Sequence, residues 1–290
     1  MCNVHFIYPL GGKITEEDII TMKRLLEKAS ETNKDSYGVS DGVKAVSFKG
    51  TYDEKEAASF DNFAGSDFII GHNRIATQGE TQQPIIHREI ALAHNGILTD
   101  YTKEKSEKKS DTLLWLENFV EFSKGKDFEE SLKKFLGKTR GSYSMVLSYR
   151  NVLYYARNYS ETFFMSLVEM SCGRMVIIGS SKFENIDRAL SEWKYGFRIS
   201  EIRGKIIRSI KPVSFELFKF DKEKGKVYCG EIDEPKYNLS SYVGEWGSSY
   251  QGVTLIDNRE KSPKNNAVTS EYYGDVFKNF PTDYYERWEQ

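Results

Sequence analysis

Cys2 directly follows Met1 and heads the apolar run Cys2-Asn3-Val4-His5-Phe6-Ile7. Loss of Met1 would leave a thiol and a free α-amine on one residue, a nucleophile beside a weak base. A free cysteine titrates near ~8.5 and an α-amine near ~7.7–8.0, so both sit close to neutral pH. Such a thiol can carry acyl transfer. To cleave a side-chain amide it also needs donors aimed at the developing oxyanion, and backbone N–H groups and Asn side chains supply these. His94-Asn95-Gly96-Ile97 offers both kinds of donor at what reads as a strand end. Glycine there lets the chain turn and lets a substrate come close. Arg74 carries a planar fork suited to a carboxylate, and Thr77 adds a hydroxyl in the same loop. Asp111, in Ser110-Asp111-Thr112, suits an ammonium group, although Ser110 and Asp111 also read as helix N-caps. Without such partners elsewhere, a cysteine at position 2 reads as an incidental small residue.

The elements that must position these groups come in blocks. Residues 2–9 read as a buried strand ending at Pro9. Thr15-Glu16-Glu17-Asp18 opens a helix with Ile19, Met22, Leu26 and Ala29 on one face. Short strands follow to residue 50, then a partly exposed helical stretch over 51–64 and an apolar strand from Asp67 to His72. Residues 73–84 read as a polar loop. Ile90–His94 reads as a strand broken by the Asn95-Gly96 turn signal. A charged connector over 101–110, read as a solvated loop able to cover a pocket, leads to helices over 111–122 and 128–136. Strands over 142–149 and 152–156 form a hairpin, followed by strands near 162–168 and 174–179. A helix near 183–192 and strands near 204–209, 214–220 and 226–230 complete the body. Blocks of strands and helices, rather than strict alternation, favour antiparallel sheets with helical layers, an α+β class. From residue 235 the chain turns polar with isolated aromatics such as Tyr242, Trp246 and Trp288. The expected division is a body over 2–234 and an irregular tail over 235–290, wrapping its own body or serving as a docking segment.

Composition narrows the classes. The chain has 290 residues, 39% of them hydrophobic, which suffices for a sizeable core. A net charge of −2 argues against a dedicated nucleic-acid surface. The three cysteines, Cys2, Cys172 and Cys229, are far apart, with no CxxC spacing. This argues against a disulfide framework or structural zinc, fits a reducing cytosol, and marks Cys172 and Cys229 as buried or edge thiols. His72 and His94 read as strand-end residues, and His5 and His87 have no partner at ligand spacing, so no metal is expected. No phosphate loop, no basic-then-apolar leader and no apolar run of membrane length is present.

Taken in order, these segments resemble the class II glutamine amidotransferase domain, an N-terminal-nucleophile hydrolase of the kind joined to sugar-phosphate and phosphoribosyl enzymes. The resemblance is carried by Met1-Cys2, Asp35-Ser36-Tyr37-Gly38, Gly71-His72-Asn73-Arg74-Ile75-Ala76-Thr77-Gln78-Gly79 and Gln83-Pro84. It continues through Ile90-Ala91-Leu92-Ala93-His94-Asn95-Gly96, Ser110-Asp111-Thr112, Gly141-Ser142-Tyr143-Ser144, Ala156-Arg157-Asn158 and Gly179-Ser180-Ser181. It implies a four-layer α/β/β/α sandwich of two antiparallel sheets. It implies that Cys2 is the nucleophile with its own α-amine as proton acceptor, and that Asn95 and Gly96 form the oxyanion hole. Arg74 and Thr77 would bind the glutamine α-carboxylate, and Asp111 with Gly96 the α-ammonium. No metal or organic cofactor is implied. Ile75 and Gln78 stand where sugar-phosphate amidotransferases carry Trp and His, and Thr32-Asn33 stand where the family carries Arg-Gly.

The residues left after the body are too few for an acceptor domain. The expectation is a cytoplasmic stand-alone glutaminase that takes glutamine, forms a γ-glutamyl thioester and passes ammonia to a separate synthase. No nucleic-acid or membrane partner is expected, and a homo-oligomer is compatible with the sequence. Two alternatives remain: a hydrolase of other γ-glutamyl amides such as glutathione, and a binding or assembly protein that keeps the fold without turnover.

Overall fold

A computed structural model describes residues 2–75, 81–101, 109–158, 161–194, 197–201, 204–212, 214–222 and 226–232. All of these fall within the unit Met1–Asp233. The chain opens with β1 (Asn3–Pro9), α1 (Glu16–Ser30), β2 (Ser36–Ser40) and β3 (Ala45–Lys49). The short α2 (Glu54–Ala57) runs on as a 3-10 turn, and β4 (Ile69–Arg74), β5 (Ile85–His87) and β6 (Ile90–Leu98) follow. Next come α3 (Asp111–Ser123), α4 (Phe128–Leu136), β7 (Gly141–Tyr149) and β8 (Val152–Arg157). Then β9 (Phe164–Met170), β10 (Met175–Ser180) and α5 (Phe183–Leu190) lead to β11 (Ser191–Lys194) and β12 (Phe197–Glu201). The described body ends with β13 (Gly204–Ile210), β14 (Glu216–Asp221) and β15 (Lys226–Glu231).

Two antiparallel sheets hold this body together. One has seven strands in the order β13-β9-β10-β1-β4-β2-β3, the other six in the order β15-β14-β8-β7-β6-β5. On the outer face of the first, Met22, Leu25 and Leu26 of α1 and Ile186 and Leu190 of α5 bury against Ile7, Val39, Ile69 and Ile178. On the outer face of the second, Trp115, Leu116 and Phe119 of α3 and Leu132 and Leu136 of α4 bury against Leu92, Met145 and Leu147. Between the sheets, Phe6 and Tyr8 of β1 meet Phe220 of β14 with ring centroids 5.1 and 5.2 Å apart. The result is the four-layer α/β/β/α sandwich. Each sheet strand alternates side chains between its helix layer and the interlayer.

The structure departs from the sequence expectations in four places. Asn95-Gly96 does not end a strand: β6 continues to Leu98, paired with β7 through Asn95↔Ser144 and Gly96↔Tyr143. Gly96 takes φ 136°, so the signal that suggested a turn marks a distorted strand position instead. His72 and His94 accordingly lie inside β4 and β6, not at their ends. The β11–β12 hairpin falls where the sequence suggested only the end of a helix. Cys172 is exposed in the turn between β9 and β10, whereas Cys229, half-buried on the edge strand β15, fits the reading of an edge thiol. Residues 102–108 and 233–290, including the tail aromatics, lie outside the described residues.

Candidate active site

The site is set by which faces the strands turn inward. Phe6 reaches the opposite sheet, so Cys2, at the same parity, also faces the interlayer. In β4, His72 Nε2 donates to His94 O across the layers at 3.2 Å, so Arg74 faces inward too. In β6, the His94 ring meets Thr112 of α3 at 2.9 Å, so the next residue, Asn95, turns toward β1 and β4. The β1–β4 register pairs Asn3 with Asn73, and its next step sets Cys2 across from Arg74. A thiol, a guanidinium and an amide thus converge at one end of the interlayer.

Cys2 is half-buried and its thiol donates to Ile75 O at 3.6 Å. Burial pushes the thiol above the ordinary cysteine range. The Ile75 contact and the Arg74 charge pull it down, and Asp111 pushes it up. Arg74 and Asp111 therefore both act on the sulfur. A thiol held in its protonated form needs a base before it can attack. Asn3 Nδ2 donates to Asn33 Oδ1 at 2.6 Å, so Asn33 buttresses the residue after Cys2.

Asn95 is fixed through the peptide that precedes it. His94 N donates to Gln83 Oε1 at 2.7 Å, and His94 O accepts from His72. The His94 ring is buried, which depresses its basicity against the pull of Asp111 and Ser142 O. A neutral ring with Nε2–H toward Ser142 O and Nδ1 accepting from the Thr112 hydroxyl fits both contacts. Asn95 Nδ2 donates to Glu161 Oε2 at 2.8 Å. Gly96 cannot be replaced by a larger residue without movement: a Cβ would lie 2.0 Å from Ser142 O and 2.9 Å from His94 Nε2.

Ser110 is the N-cap of α3, its hydroxyl accepting from Leu113 N at 3.2 Å. Asp111 is the first helical residue, and its carboxylate bridges elements. Oδ2 accepts from Leu98 N at 2.8 Å and Oδ1 from Thr112 N at 2.8 Å. The carboxylate is thereby held against the end of β6. Of the residues singled out by sequence, Cys2, Arg74, Asn95, Gly96 and Asp111 are brought together. Thr77 lies outside the described residues, as does Gln78. Gln83, Thr112 and Ser142 belong to quoted motifs and Asn33 to a noted departure from the family, but none had an assigned role. Glu161 was missed, its one sequence signal being an acidic residue before the apolar run Phe163-Phe164-Met165. No group of three or more His, Cys, Asp or Glu side chains among the described residues could hold a metal ion. No helix among them is long and apolar enough to cross a membrane.

No family model matches the chain. Among curated proteins, it is similar to a glutamine–fructose-6-phosphate aminotransferase (isomerizing) of Thermococcus kodakarensis. The two are 36% identical over 110 residues, which is 31% of this chain and 18% of that protein. Among solved structures, it is similar to a glutamine phosphoribosylpyrophosphate amidotransferase from B. subtilis. The TM-score is 0.56 at 18% identity, covering 80% of this chain and 49% of that one. An allosteric regulatory enzyme of purine biosynthesis matches with TM-score 0.58, 18% identity and the same coverage. The chain therefore spans about half the length of those solved chains and less of the curated relative. The resemblance to class II glutamine amidotransferase domains holds as a likeness of fold.

Proposed function

We propose that this chain, whose described body has the fold of class II glutamine amidotransferase domains, hydrolyses the side-chain amide of glutamine. The observation that carries the reading is the convergence of Cys2, Arg74 and Asn95 on one interlayer edge, with Asp111 close enough to act on the thiol. Arg74, with Thr77, grips the α-carboxylate, and Asp111 with Gly96 takes the α-ammonium, which places the γ-amide over the sulfur. With Met1 removed, the Cys2 α-amine accepts the thiol proton and the sulfur attacks the amide carbon. Asn95 Nδ2 and the Gly96 backbone N–H stabilise the oxyanion. The proton passes to the departing nitrogen, ammonia leaves, and water releases glutamate from the γ-glutamyl thioester. The raised thiol supports the need for that base.

The residues 2–234 form the glutaminase on this reading, in a reducing cytosol, and 235–290 are an irregular tail. The ammonia goes to a separate synthase. The test is release of glutamate and ammonia from L-glutamine by wild type and Cys2→Ala, beside amine release from γ-glutamyl compounds. Turnover of glutamine that vanishes with Cys2→Ala supports the reading. Full activity in Cys2→Ala sinks it, and a preference for γ-glutamyl amides with larger leaving groups reassigns the substrate.

A further inference from the structure

Glu161 is a carboxyl side chain only 3% exposed, three residues ahead of the first residue of β9. Its Oε2 accepts from Asn95 Nδ2 at 2.8 Å, a contact spanning 66 residues of sequence. Asn95 is itself 3% exposed, and its Oδ1 has no hydrogen-bond partner among the described residues. Among the described residues the side-chain amide is thus oriented through its nitrogen, by one carboxylate. That carboxylate also interacts with the Ser142 side chain, whose Oγ accepts from Ile97 N at 3.0 Å. Ser142 O is the atom that a Cβ at Gly96 would strike. One buried group therefore touches the Asn95 amide directly and reaches the backbone on the far side of Gly96 through a single hydroxyl. Arg157, 5% exposed, adds its charge to the same neighbourhood.

A carboxylate out of water is costly unless it is hydrogen-bonded, and here Asn95 and Ser142 supply those bonds. A primary amide has two N–H groups. With one committed to Glu161, the planar amide has a fixed direction for the second.

We infer that Glu161 is a positioning residue that locks the Asn95 side chain with its second N–H aimed at the oxyanion, while its contact with Ser142 steadies the Gly96–Ile97 backbone. The inference rests on the proposed glutaminase reading. Donors held in place before the reaction stabilise the charge without reorganisation, and misdirecting one erodes that benefit. On this inference Glu161 acts through the Asn95 amide and the Ser142 hydroxyl, so its effect falls on turnover.

The experiment compares ammonia release by wild type, Cys2→Ala, Asn95→Ala, Glu161→Met, Glu161→Gln and the double variant Glu161→Met/Asn95→Ala. Methionine keeps the length but removes the acceptor; glutamine keeps an acceptor. Asn95→Ala should lower kcat by about 100-fold or more, and Glu161→Met by on the order of 10-fold, with KM for glutamine little changed. Glu161→Gln should recover most of the loss. In the Asn95→Ala background the Glu161→Met effect should shrink to the part carried through Ser142, because the amide it holds is gone. Equal kcat for the methionine and glutamine variants overturns the inference. So does a Glu161→Met loss that persists undiminished in the double variant. Wild-type activity insensitive to Cys2→Ala instead removes the glutaminase reading on which the inference stands, and the two failures are thereby distinguished.

Discussion

At the residue scale, Gly96 makes the sharpest demand. It sits at φ 136° with a Cβ position 2.0 Å from Ser142 O, a backbone atom that cannot step aside. Gly96→Ala should therefore displace the donor segment and reduce kcat for glutamine by about 100-fold or more. Steady-state kinetics together with a melting curve checks this. Near-wild-type kcat in a folded Gly96→Ala protein contradicts the role given to the segment. Much of this site was legible in the sequence, because Cys2, Arg74, Asn95, Gly96 and Asp111 stand in short local motifs whose residue types announce their chemistry. Glu161 was not, because its meaning lies in a contact with Asn95 made across the sandwich. Asp111 was half legible: the helix start was visible, but its bond to Leu98 N depends on how β6 ends.

At the element scale, the apolar spacing of α1 was readable, since local periodicity reports which face is buried. The continuation of β6 through Asn95-Gly96 was not readable, because β7 supplies the pairing that overrides the turn signal. The anchoring of α1 illustrates a further long-range device. Thr15 and Asp18 form a capping box, and Arg174, beside the β9–β10 turn, reaches the same Asp18 carboxylate. Asp18 is fully buried, so removing its charge leaves Arg174, whose side chain is 13% exposed, without this partner. Asp18→Ala should destabilise the fold by about 3–5 kcal/mol, the usual penalty for breaking a buried pair. Urea titration reads this directly, and a loss within the range of a surface substitution would show that the pair does not anchor α1.

At the scale of the whole molecule, the sandwich buries His5, His72 and His94, and burial lowers the basicity of all three. Burial holds His5 and His72 neutral, with pKa values lowered from 6.5 to about 3. The unfolded chain binds these protons near 6.5 and the folded chain does not. Their contribution to stability is therefore complete above that pH and is lost as pH falls from 6.5 toward 3. Each contributes a slope of about 1.4 kcal/mol per pH unit inside that window. The urea midpoint should fall steadily between pH 6.5 and 4.5, and less steeply in His5→Gln. A flat midpoint over that range would contradict the burial of uncharged rings. The most direct test of the chemistry is intact-mass and peptide-mapping analysis of the purified chain after exposure to a glutamine-shaped electrophile such as 6-diazo-5-oxo-L-norleucine. The expected result is one adduct on Cys2 of a chain that has lost Met1, suppressed by excess L-glutamine. A Met1-free chain that stays unlabelled at Cys2, or that carries the adduct on Cys172 or Cys229 instead, contradicts the assignment of Cys2 as the nucleophile.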